Sequence, residues 1–245
     1  PTSRELSDTV KKSVFTACRK LSDMPTPWGI STGIRPAKIA GTLLTDGRGV
    51  LKAKRVLRDE YFLSHQKAAL AVSVASAEAK IIKKLGDGNK TCSLYISIPF
   101  CPTRCAYCSF VSYTTPRLLS MVDEYLEAII IDLDDSFKTI KELGLSITNI
   151  YIGGGTPTTL STAQLCRLLD AISSSFDLSR LLEFTVEGGR PDTLDEEKLL
   201  AIRQHGADRM SINPQSMVDT VLRASGRPHR SADILRSYEQ AKNAG

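Results

Sequence analysis

The chain has 245 residues, 42% hydrophobic and 24% charged, with a formal net charge of +5 and a pI near 8.9. This is an ordinary globular composition, with room for one large domain plus a small one, or two modest ones. No stretch approaches the ~18 to 20 apolar residues in a row that a membrane-spanning helix needs, and the polar start PTSRELSDTVKK lacks the apolar stretch of a signal peptide.

A cytoplasmic protein is therefore expected, with no membrane partner. The first residue is Pro1 rather than Met, so further residues are expected upstream. The basic run Lys52, Lys54, Arg55 and Arg58 lies in a helical pattern without interleaved aromatics, so no nucleic-acid partner is expected.

Helical patterns open the chain, around 5–20, 36–45 and 50–63, with a Gly/Pro-punctuated loop, PWGISTGIRP, before the second. Leu70, Val74, Ala77, Ile81 and Leu85 then repeat at steps of three and four and are expected to form a helix's apolar face. Gly86-Asp87-Gly88-Asn89 has the chemistry of a linker and separates a helical extension, 1–90, from a second region, 91–245.

After the linker, strand and helix alternate. LYISIPF (94–100) reads as a strand, followed by a long helix with Leu118, Val122, Tyr125, Ile129, Leu133 and Phe137 on one face and Thr115-Pro116 as its start. ITNIYIG (147–153) is the second strand, and Ser161 with Gln164 spaces a capping box for the next helix. LEFTVEG (182–188) follows, then a second candidate capping box, Thr193 with Glu196. RMSINPQ (209–215) is the fourth strand, and a helix runs from about Ser231 to the end.

Four consecutive βα units imply an α/β fold with a parallel sheet, part of a TIM-like barrel, covered by helices on its outer face. Such barrels place their chemistry at the C-terminal ends of the strands. The unusual clusters all fall there: CPTRCAYC after the first strand, GGGTP after the second, EGGRPD after the third and PQS after the fourth. The chain stops at Asn243-Ala244-Gly245, where a fifth strand is due, so the barrel is expected to be cut.

Six cysteines are present, and Cys101, Cys105 and Cys108 fall within eight residues. A secreted disulfide scaffold is small and loop-rich, which this chain is not. The spacing C-x3-C-x2-C puts three soft thiolates on one short loop, a donor set suited to an iron–sulfur cluster. A cubane bound this way keeps one iron free of protein ligands. The alternative is a zinc site completed by His65, His205 or His229, none of which is near in sequence. Cys18 and Cys166 read as core residues of helices.

YISIPFCPTRCAYCSF and YIGGGTPT resemble the cluster loop and glycine motif of the radical S-adenosylmethionine (radical SAM) superfamily, in the branch of oxygen-independent coproporphyrinogen III oxidases. PWGISTGIRPAKI and EGGRPDT resemble, more narrowly, the HemZ-type coproporphyrinogen dehydrogenases. The resemblance covers roughly residues 92 to 245. It implies a [4Fe-4S] cluster on Cys101, Cys105 and Cys108, with SAM at the open iron. It also implies a SAM site that includes Tyr95, Tyr107, Gly153, Gly154, Gly155, Thr156, Glu187, Gln215 and Arg227. Glycines there let backbone approach the methionine end of SAM. The Glu187 carboxylate suits ribose hydroxyls, and the Arg227 guanidinium suits the SAM carboxylate.

The implied reaction is the oxidative decarboxylation of two porphyrinogen propionates to vinyl groups, with a flavodoxin or ferredoxin as electron donor. Two other activities share the scaffold, a HemW-type heme chaperone and an anaerobic heme-degrading methyltransferase. The chaperone has little chain before its barrel, whereas about ninety residues stand there in this sequence. The cut barrel implies that the 245-residue piece alone does not decarboxylate.

Overall fold

The computed structural model describes residues 3–22, 24–31 and 35–245. It divides into two compact units, Pro1–Gly86 and Asp87–Gly245. Residues 32–34 of the expected PWGISTGIRP loop lie outside the described residues.

The first unit is helical: α1 (Ser3–Leu21), α2 (Pro36–Thr45), α3 (Val50–Asp59) and α4 (His65–Leu85). Pro36 starts α2, where its missing N–H costs nothing. The Ser64 side chain accepts from the Lys67 N–H to cap α4. Helix α3 ends four residues before its expected limit of 63. Phe62 there takes a left-handed φ of 59°, and the Leu63 N–H closes back on the Leu57 carbonyl at 3.1 Å, a helix-terminating geometry.

The expected face of α4 is also corrected. Ala68, Ala71, Val72 and Ala75 are the buried residues, packed with Ile39, Ala40 and Leu43 of α2 and Ala53, Val56 and Leu57 of α3. Leu70, Val74 and Ile81 are exposed. Small side chains let the helices approach closely, and that contact prevails over the stripe of larger residues. Cys18, expected in the core, is exposed, and Cys166 is partly buried.

The second unit runs β1 (Thr91–Ile98), α5 (Pro116–Leu119), α6 (Val122–Glu142), β2 (Ser146–Gly154), α7 (Thr162–Ser175), β3 (Glu183–Glu187), α8 (Glu196–Gln204), β4 (Arg209–Ser211), α9 (Asp219–Ala224) and α10 (Ser231–Asn243). The four strands form one parallel sheet in the order β1-β2-β3-β4. This is the partial TIM-like barrel the alternation implies. The expected run 118–137 is two helices. Thr115 does cap, but its helix is the single turn α5, and α6 starts anew at Val122.

The Ser161–Gln164 capping box is formed on α7. The Thr193–Glu196 box is not: Asp195 caps α8, its carboxylate accepting from the Lys198 N–H at 2.8 Å, while Thr193 sits in a preceding 3-10 turn. Asp195 occupies the N-cap position directly before the helix, so the Thr is not needed there. Helix α9, a short piece after β4, has no apolar periodicity long enough to announce it.

Alternation along the strands separates two faces. Ile96, Ile98, Ile150, Ile152, Phe184 and Val186 enter the core with Leu126 and Leu133 of α6 and Leu165, Leu168, Leu169 and Ile172 of α7. The intervening positions are polar. Tyr95, Tyr151, Thr185 and Arg209 lie in register across all four strands. A sheet buried on both faces carries near-continuous apolar runs, so this polar face is built to meet solvent or a polar ligand.

Candidate active site

The cysteine loop leaves β1 and is closed at its base by backbone bonds. The Cys101 N–H donates to Tyr113 O at 3.1 Å, and the Tyr113 N–H to Pro99 O at 2.7 Å. Its far side rests on the turn after α9, where the Ala106 N–H donates to Ser225 O at 3.0 Å. Cys101 is buried while Cys105 and Cys108 are partly exposed. All three border one cavity of about 200 Å³ at the C-terminal ends of the strands.

The same wall holds Tyr95, Tyr107, Gly154, Gly155, Thr156, Glu187, Gln215 and Arg227. The structure thus brings together eleven of the twelve residues that the sequence singled out, from four separate βα units. Gly153 stands behind the wall, where an added Cβ would meet the Tyr151 ring at 2.6 Å and the Glu187 carboxyl carbon at 3.2 Å.

The glycine run is required by the protein's own packing as well as by any ligand. A Cβ on Gly155 would fall 2.8 Å from the Phe100 carbonyl oxygen and 2.9 Å from Cys101 Sγ. Gly154 has a φ of 106°, a conformation open to glycine. Thr156, also buried, places its hydroxyl 3.3 Å from Cys101 Sγ. Burial pushes the Cys101 thiol up, and the Thr156 hydroxyl and the Arg190 guanidinium pull it back.

Glu187 ends β3, and Tyr151 of β2 donates its phenol to Glu187 Oε1. Burial and that carboxylate push Tyr151 up to about 12, so its proton stays in place at any physiological pH. The Tyr151 ring stacks on Tyr95 with centroids 5.7 Å apart. Arg227 is buried; its Nε donates to Tyr107 Oη at 3.0 Å and its Nη1 to the Asn213 and Gly189 carbonyls at 3.0 and 3.3 Å. Gln215 takes a left-handed φ of 62°, a conformation few non-glycine residues adopt.

Sequence reasoning passed over Tyr151, Asn213, Thr103 and Arg190, which line or brace this cavity. Tyr151 carried a signal, since it falls two residues before the glycine run on the polar side of its strand. Arg190 carried none beyond its place in EGGRPD.

The donor set fits an iron–sulfur cluster. In a cubane each thiolate binds its own iron, and the three thiols stand on the wall of one cavity. His205 is engaged elsewhere, its ring nitrogens 2.6 Å from Ala201 O and 3.0 Å from Asp170 Oδ1. His229 lies on the other side of the β3–α8 loop, 3.3 Å from Asp192.

Residues 95–245 match the radical SAM superfamily. The chain is 35% identical over 219 residues to the oxygen-independent coproporphyrinogen-III oxidase-like protein HemZ of Bacillus subtilis, covering 89% of this chain and 44% of that protein. It is 40% identical over 158 residues to the heme chaperone HemW of the same organism, covering 62% and 39%. Among solved structures, coproporphyrinogen III oxidase HemN of Escherichia coli, a radical SAM enzyme, matches with a TM-score of 0.54 and 25% identity over 68% of this chain and 38% of that one. The chain spans less than half the length of these relatives.

Proposed function

The chain belongs to the radical SAM superfamily, whose members use a [4Fe-4S] cluster and SAM, and from that premise we propose that it serves the oxygen-independent oxidation of coproporphyrinogen III to protoporphyrinogen IX in heme biosynthesis. The observation that carries this reading is the extent of the match to HemZ. Its 219 aligned residues exceed the barrel region 91–245, so the likeness continues into the helical unit. The HemW match is about as long as the barrel region alone.

When bound, the cluster and SAM supply a 5′-deoxyadenosyl radical able to take hydrogen from a propionate β-carbon. The chain's own residues do the rest. Cys101, Cys105 and Cys108 hold the irons, and the Thr156 hydroxyl braces Cys101. The Glu187 carboxylate accepts from ribose hydroxyls in a geometry fixed by Tyr151. The backbone of Gly154 and Gly155 admits the methionine end of SAM, Gln215 and the Tyr107 backbone border the adenosine, and Arg227 brings positive charge toward the SAM carboxylate. The polar inner face receives a polyanionic porphyrinogen; one electron enters from a small carrier such as flavodoxin or ferredoxin, and each propionate, after losing hydrogen and carbon dioxide, gives up one electron to a separate acceptor. Among the described residues, no helix is long and apolar enough to cross a membrane.

The test is anaerobic incubation of the protein in its full natural length with SAM, a reductant and coproporphyrinogen III. Protoporphyrinogen IX should accumulate through a monovinyl intermediate. Tight heme binding with no turnover of coproporphyrinogen supports instead the chaperone reading, which the higher identity to HemW favours.

A further inference from the structure

Arg190 heads the largest fully buried side chains among the described residues, at 2% exposure. A guanidinium cannot lose its charge inside a protein, so burying it is costly unless every face is paired. Here it is paired on both sides. Nε and Nη2 form a bidentate pair with the two oxygens of Asp192 at 3.1 and 2.8 Å. Nη1 donates to the Thr103 hydroxyl at 2.8 Å and the Thr103 carbonyl at 3.2 Å.

Thr103 stands midway between Cys101 and Cys105. The β3–α8 loop that carries Arg190 is itself fixed to the glycine loop. Thr193 and Thr158 share a hydroxyl–hydroxyl bond of 2.6 Å, and Lys198 Nζ donates to the carbonyls of Thr158 and Thr193 at 3.0 and 3.1 Å. One short loop therefore grips both the cysteine loop and the glycine loop. Burial alone would raise the Asp192 carboxyl, but the hydrogen bonds and charge of Arg190 outweigh it and hold Asp192 below the usual range.

We propose that Arg190, held by Asp192, is the positioning residue that sets the cysteine loop in its cluster-binding shape. The inference rests on the reading of that loop as an iron–sulfur site. Asp192 holds the guanidinium through two of its nitrogens and Thr103 takes the third, so Arg190 fixes the loop by geometry. Its planar fork reaches a carboxylate and a threonine at once, and a lysine offers a single point of contact in place of that fork. The clamp holds the loop ready for the irons and slows their loss.

The experiment measures iron release from the anaerobically reconstituted protein to a ferrous chelator. Arg190→Gln should release iron about ten- to hundredfold faster than wild type, the effect of losing charge-assisted bonds. Thr103→Val should lie between. The double variant should be no faster than Arg190→Gln, because both substitutions break one clamp. Arg190→Lys should recover part of the retention. Leu168→Ala, a core truncation on α7, should lower the melting temperature yet leave release unchanged. Should Arg190→Gln not fold, Thr103→Val and Arg190→Lys give the same readout. A folded Arg190→Gln protein with wild-type release, or rate effects that multiply independently in the double variant, would overturn the clamp. A failure of the underlying reading looks different: the wild-type protein then takes up no iron through its cysteines.

Discussion

Alanine at any one of Cys101, Cys105 or Cys108 is expected to abolish stable cluster binding, with iron falling from about four per chain to below about one after anaerobic reconstitution. The three thiols border one cavity. A cubane already lacking a fourth protein ligand cannot spare one of three. The other cysteines of the same unit are not positioned to substitute: Cys166 lies on α7 and Cys92 near the start of β1. Cys166→Ala should keep its iron and brown colour. Metal analysis together with the visible spectrum checks both outcomes, and a Cys105→Ala protein with a full complement of iron would refute the ligand assignment.

Glu187→Ala is expected to weaken SAM binding about ten- to hundredfold, corresponding to ~1.5 to 3 kcal/mol for hydrogen bonds to a charged group. Tyr151 occupies one carboxylate oxygen, which fixes the rotamer and leaves the other lone pairs for ribose hydroxyls. Tyr151→Phe removes that support while leaving the carboxylate, so its effect should be smaller and in the same direction. Anaerobic calorimetry on the reconstituted protein measures both. Unchanged affinity in Glu187→Ala would remove the ribose role.

The distribution of sequence signals explains what could be read in advance. The βα alternation and the clusters at the strand ends were legible because period-two runs and Gly/Cys-rich loops are local. They gave the parallel sheet and the rim, and eleven of twelve nominated residues share the cavity wall. Partners that lie far apart in sequence were not legible. Arg190 meets Thr103 across 87 positions and Arg227 meets Tyr107 across 120, through bonds that no spacing announces. The apolar stripe of α4 points to the wrong face because Ala68, Ala71 and Ala75 pack through closeness of approach, which hydrophobic size does not register. Thr193 had the spacing of a cap, but a 3-10 turn carries it into a bond with Thr158, and Asp195 caps α8 in its place.

On the proposed function, three thiolates hold a cluster with one iron open to SAM. The most direct measurement is the electron paramagnetic resonance spectrum of the dithionite-reduced, reconstituted protein, recorded with and without SAM. A reduced [4Fe-4S] signal is expected that changes shape when SAM is added, with a smaller SAM response in Glu187→Ala at SAM concentrations that just saturate the wild type. A signal indifferent to SAM, or a protein that carries one zinc per chain on Cys101, Cys105 and Cys108, would contradict it.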